Sequence, residues 1–229
     1  MLTAPSSRTL SDYVAQRLRE AILSGQFKPG QRIVEHEIAE AMQVSRGPVR
    51  DALKELEKEH LVGRYPHKGT FVTWLTLRDA EEIYSLREAL EGLAVDYILK
   101  YASDEALDEL DAVIDEMVSR REQEYTQAEA TDLDLAFHDA LCRISGHTRV
   151  QMAWRAVRIQ VRLLILSHRI LQPSDFRETA VEWHRQLAAA LRERNAPLAH
   201  VLLHKHIMRS FETVAASFQR EAENGPDVS

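Results

Sequence analysis

Three imidazoles and one carboxylate in the second half of this chain are spaced as metal ligands would be. Seven of the ten histidines lie there, and histidine is the commonest metal ligand as well as a frequent core or surface residue. Asp134 and His138 are four apart, hence on one face of one helix. His184 falls on the stripe Val181, His184, Leu187, Leu191, and His206 on Leu202, His206, Ser210, Thr213, so both are expected to point into a bundle. Drawn from three helices, the four could converge there, as metal sites in bundles commonly do. Such a set satisfies Zn tetrahedrally, or leaves two open positions on an octahedral Ni, Mn, Fe or Co ion that suit a carboxylate with an adjacent oxygen. Each histidine taken alone is equally an ordinary hydrogen-bonded residue, and the pattern leaves both readings open.

Neighbouring groups compete for the role. Cys142, one turn beyond His138, reads as packing. His200 and His204 form another i, i+4 pair expected to face solvent, while His147 and His168 fall near helix ends. Arg87 follows the apolar stripe Ile83, Leu90, Ala94, so it either reaches inward to hold an anion or pairs with Glu91 at the surface. Arg158 and Arg162 are weaker candidates for the anion.

A second constellation, Val44-Ser45-Arg46-Gly47-Pro48-Val49-Arg50, is suited to nucleic acid. Ser45 is placed to cap a helix whose early residues Arg46 and Arg50 lie one turn apart. A guanidinium fork matches two phosphate oxygens or the O6/N7 edge of guanine. Further on, Lys68 can reach a phosphate or the minor groove, with Gly69 permitting close backbone approach.

The elements that position these groups follow from periodicity. Residues 9 to 24 carry a helical stripe, a second spans Glu35 to Met42, and a third starts at Ser45 with Pro48 in its first turn. Two short helices across a two- or three-residue turn make a helix-turn-helix, and Leu61 to Tyr65 with Thr70 to Trp74 make a wing-like hairpin. From Thr76 onward only helical periodicity appears, giving six helices at about 76–101, 104–122, 126–145, 148–170, 174–194 and 197–221. Thr148 and Ser174 are the expected N-caps, Gly146 and Asn195 the expected stops. The expectation is a mainly α protein: a winged helix-turn-helix over 1–75, an antiparallel all-helical bundle over 76–221, and a disordered tail over 222–229.

Composition agrees with this division. Residues 1–75 hold 11 Lys/Arg against 9 Asp/Glu, so the overall charge of −7 comes from the remainder at −9. No stretch of 18 apolar residues and no leader-like start appears, and Cys142 is the only cysteine, which together point to a cytoplasmic protein. No HExxH or similar motif supplies a general base beside the histidines, which argues against a metallohydrolase.

At this point a family resemblance becomes specific. QRIVEHEIAEAMQVSRGPVRDALKELEKEHLVGRYPHKGTFV resembles the DNA-binding domain of the GntR superfamily, and EIYSLREALEGLAVDYI resembles the start of its FadR-type (FCD) ligand-binding domain. The resemblance covers about residues 9 to 215. It implies a homodimer on a palindromic operator, with residues matching Arg46 and Arg50 contacting DNA. The full expected DNA-binding set adds Ser45 and Gly47 beside them, His36 in the preceding helix, and Lys68 and Gly69 on the wing. Gly47, Gln43 and His36 stand where the family commonly has threonine, glycine and arginine, which bears on the operator sequence rather than the binding mode. A metal-binding subgroup of the FCD domain has ligands matching Asp134, His138, His184 and His206, in FHDAL, EWHRQL and HKHIM contexts. The arginine matching Arg87 lines its effector pocket. The resemblance thus implies a divalent metal cofactor and a repressor released by a small carboxylic acid.

Overall fold

Thr9 starts the first helix by a reciprocal cap. Its hydroxyl accepts from the Asp12 N–H, and the Asp12 carboxylate accepts from the Thr9 N–H, satisfying two otherwise orphaned donors. The computed structural model describes residues 9–120, 123, 126–167 and 181–224. The chain divides into two compact units between Trp74 and Leu75.

In the first unit α1 (Leu10–Leu23) buries Val14, Ala15, Leu18 and Ile22. It packs on α3 (Arg46–Lys58), whose buried face is Val49, Ala52, Leu53 and Leu56. The short α2 (Glu35–Ala41) precedes α3. The turn between them is closed by Gln43, a non-glycine residue at φ +54. The expected hairpin is present as β2 (Val62–Tyr65) and β3 (Gly69–Val72). A third strand, β1 (Arg32–Ile33), pairs with the other edge of β3 in the order β1-β3-β2, with Arg32 opposite Phe71 and Ile33 opposite Thr70. Two residues are too few to show the alternation by which a strand is read from sequence.

The second unit holds six helices among the described residues. They are α4 (Leu77–Tyr101), α5 (Asp104–Ser119), α6 (Gln127–Ile144), α7 (Thr148–Ser167), α8 (Val181–Arg192) and α9 (Ala196–Asn224). Capping boxes start α4 and α6, through Thr76 with Asp79 and Thr126 with Glu129. The central α4 contacts α6, α7, α8 and α9. Its inner face carries Ile83, Tyr84, Ala94, Val95 and Ile98, and also two charged residues, Arg87 and Glu91.

Several expected ends move. Thr148 is the first helical residue of α7, not its cap; His147 takes that place, its Nδ1 accepting from the Val150 N–H at 3.3 Å. At the end of α8 the left-handed residue is Arg194, φ +55, whereas Asn195 accepts from the Leu198 N–H and caps α9. The asparagine amide is worth more as an acceptor for an orphaned first-turn N–H than as a tolerated left-handed residue. The expected cap at Ser174 and residues 225–229 of the expected tail lie outside the described residues, and α9 extends to Asn224. Among the described residues no helix is long and apolar enough to cross a membrane.

Candidate metal centre and nucleic-acid face

Helix α6 is buried on most of its circumference and brings Asp134 and His138 to one spot in the bundle. His184 arrives from α8 and His206 from α9. One ligand atom from each of the four lies within 4.8 Å of the other three. His138 Nε2 is 3.0 Å from His206 Nε2, and Asp134 Oδ1 is 3.4 Å from His184 Nε2 and 3.8 Å from His206 Nε2. His138 and His184 are fully enclosed; Asp134 and His206 keep only a small exposed edge. A tilted ring contact borders the array: the Phe137 ring centroid lies 4.5 Å from that of His184.

The electrostatics favour ligand forms. Burial, then the neighbouring His184, His138 and Arg87, push the pKa of His206 well below the ordinary histidine value, so its imidazole is neutral. Three imidazole nitrogens and a carboxylate at this separation fit a divalent transition ion, and the cluster could hold one.

Behind the cluster lies a charged pair that sequence reasoning placed only as a surface alternative. Arg87 and Glu91 do pair, with Arg87 Nε–H donating to Glu91 Oε1 at 2.7 Å, but both side chains are 0% exposed. Arg87 therefore reaches inward and pairs with Glu91 at once. The signal available was the i, i+4 spacing, which fits a buried pair as well as a surface one. Glu91 also accepts from His138 Nδ1–H at 2.7 Å, and Arg87 Nη2 donates to His138 Nε2 at 2.8 Å. Burial alone would raise the Glu91 pKa, but its close contacts with His138 and Arg87 outweigh it and hold it at about 2. The guanidinium lies 5.8 Å from the Tyr84 ring and 5.9 Å from the Trp154 ring, and its Nη1 is buried without a hydrogen-bond partner.

The competing groups go elsewhere. Cys142 is buried outside the ligand set, and burial pushes its thiol pKa up. His200, half-buried, and His204, exposed, pair with Asp96 and Glu88, across from α9 to α4. Arg158 and Arg162 are engaged by Asp139 and Asp132 of α6. His168 lies outside the described residues.

In the first unit Ser45 occupies the N-cap position of α3, yet its side chain makes no capping hydrogen bond, which corrects the expected cap. Arg46, Gly47, Arg50 and His36 are exposed, as is Lys68 in the turn between β2 and β3. Arg50 Nε sits 3.7 Å from Glu35 Oε2 in α2, which steadies it without covering it. Gly69 has φ +108, and a Cβ there would come 3.2 Å from Arg32 Nε, so the glycine lets Arg32 of β1 lie against the wing. Exposed Arg32 and Arg64 add cationic groups on this sheet that spacing alone had not singled out.

Comparison with known proteins supports both halves. A family model described as bacterial regulatory proteins, gntR family, matches residues 10–72, and the FCD domain model matches residues 82–209. The chain is 33% identical over 192 residues to the HTH-type transcriptional regulator YdhC of Bacillus subtilis (strain 168), covering 82% of this chain and 84% of that one. It is 27% identical over 197 residues to the gluconate operon transcriptional repressor of the same organism, covering 84% and 80%. Among solved structures, a transcriptional regulator GntR from Rhodococcus sp. RHA1 superposes with TM-score 0.73 at 26% identity, covering 90% of this chain and 97% of that one.

Proposed function

The chain belongs to the gntR family of bacterial regulatory proteins and carries an FCD domain, and from that premise we propose a repressor whose hold on operator DNA is relaxed by a small organic acid. It is a DNA-binding transcription regulator, not an enzyme. In this reading the protein is a cytoplasmic homodimer on a palindromic operator, since a two-fold dimer sets two copies of α3 on matching half-sites. Ser45, Arg46, Gly47 and Arg50, with His36, Lys68 and Gly69, form the reading face. Asp134, His138, His184 and His206 hold a divalent metal ion, and Arg87 receives the effector.

The observation that carries the sensing half is the four-donor cluster within 4.8 Å, with the buried, unpartnered Nη1 of Arg87 nearby. The bound ion would offer a positive docking point for one carboxylate oxygen. Arg87 offers a second cation with a donor to spare, which suits a further anionic oxygen of the same acid. Tyr84 and Trp154 flank the guanidinium and keep it from bulk water. The name of the gluconate operon repressor supports repression as the mode and a sugar acid as one class to try.

The test is a panel of hydroxy and keto acids, read by thermal shift on the full chain with and without added Zn, Ni or Mn. An operator selected from random duplexes provides the second readout, by fluorescence anisotropy. An active acid should raise Tm only in metal-loaded protein and weaken operator binding by about 5- to 150-fold, a coupling of about 1–3 kcal/mol. An acid that shifts Tm equally after chelation would remove the metal from effector binding.

A further inference from the structure

We propose that Glu91 is the positioning residue that joins the two parts of the sensing site, one carboxylate setting His138 as a metal ligand and Arg87 as an anion receptor. The proposal rests on the metal reading above, and it follows from what each atom can donate or accept. A guanidinium only donates, so the 2.8 Å contact from Arg87 Nη2 makes His138 Nε2 an acceptor, and the one lone pair that takes this hydrogen bond would pass from Arg87 to the ion when metal binds. The ring proton is then on Nδ1, where Glu91 Oε2 accepts it at 2.7 Å. The other oxygen of the same carboxylate accepts from Arg87 Nε at 2.7 Å.

The three side chains are 0% exposed, so no water replaces either bond. An ion pair serving only to neutralise Arg87 needs one of these contacts. The second falls on the back of the imidazole whose front atom faces Asp134 and His206. A carboxylate in that position fixes the tautomer, aims the ring and raises its basicity as a ligand. Because both bonds share one rigid carboxylate, an anion that draws the guanidinium moves the group that aims His138. Metal and effector affinities are thereby linked, each strengthening or weakening the other by the same factor.

The experiment compares the full-length wild type with E91Q, using Co2+ as the probe in competition with a chelator. The amide of E91Q can accept from one donor only and turns its own N–H group toward the other. The wild type should bind one Co2+ per chain. E91Q should bind it about 10- to 100-fold more weakly and with a changed visible absorption spectrum. Wild-type affinity and spectrum in E91Q, with Tm lowered equally in chelated and loaded protein, would make Glu91 a structural ion-pair partner and overturn the proposal. If E91Q does not fold, the wild type still decides the matter: 15N-labelled histidine should show His138 solely as the Nδ1–H tautomer, and an Nε2–H tautomer overturns it. A wild type that takes up no Co2+ would remove the metal reading and this proposal together, whereas uptake equal in both proteins removes this proposal alone.

Discussion

Arg46 and Ser45 stand side by side at the start of α3, and their different bonding separates stability from recognition. Since Ser45 makes no capping bond, Ser45→Ala should change unfolding free energy by less than about 0.5 kcal/mol, although Ser to Ala at a working cap costs about 1 kcal/mol. Arg46→Ala should leave the fold intact and cost about 1–3 kcal/mol at the operator if the guanidinium reads a base, measured by anisotropy against mismatched duplexes. A loss equal on all duplexes would assign Arg46 to phosphate. In the second unit, His184→Ala is the sharpest single test of the proposed metal centre, because α8 gives one candidate ligand and the Asp134 and His138 pair on α6 stays whole. Elemental analysis should show metal content falling, and wild-type content together with wild-type effector response would reduce the four residues to core polar groups. The four candidate ligands could be proposed from i, i+4 spacing and helical stripes, which left ordinary core histidines equally open until the family resemblance singled the four out. Glu91 could not, because an acid four residues after an arginine reads the same whether the shared face is wet or dry.

At the level of elements, most helices were legible because each buries a continuous stripe, while the irregular joints were not. β1 has no internal pattern and exists because β3 has a free edge beside it. His147 caps α7 through an imidazole nitrogen, a role for which sequence favours Ser, Thr, Asp and Asn. The turn between α2 and α3 carries a cost of its own: Gln43 at φ +54 holds a side chain where the left-handed conformation costs about 1–2 kcal/mol. Glycine relieves that strain but has more freedom to lose on folding, about 0.5–1 kcal/mol. Gln43→Gly should therefore stabilise the first unit by roughly 0.5–1 kcal/mol, seen as a higher denaturant midpoint; a lower midpoint would mean the turn gains more from the glutamine side chain than the backbone loses.

On the scale of the whole molecule, α4 shows which of its apolar residues the monomer uses. Ile83 is in the core and Leu90 packs against it, but Leu86 and Leu93 are 50% and 39% exposed, one heptad apart on the same side. If that side is the dimer contact, Leu86→Asp with Leu93→Asp should turn the sedimenting species from dimer to monomer without loss of helical content. A dimer unchanged in mass would move the contact elsewhere. The order in which the chain is made gives the proposed metal centre a timetable. Asp134 and His206, the first and last of the four in chain order, are 72 residues apart, so at about 5–20 residues per second the last donor leaves the ribosome roughly 4 to 14 seconds after the first. The unit ending at Trp74 is by then long finished. A newborn copy thus acquires its DNA-binding unit before the last of the four candidate ligands, and capture of an ion by the proposed centre would be a late act of its maturation.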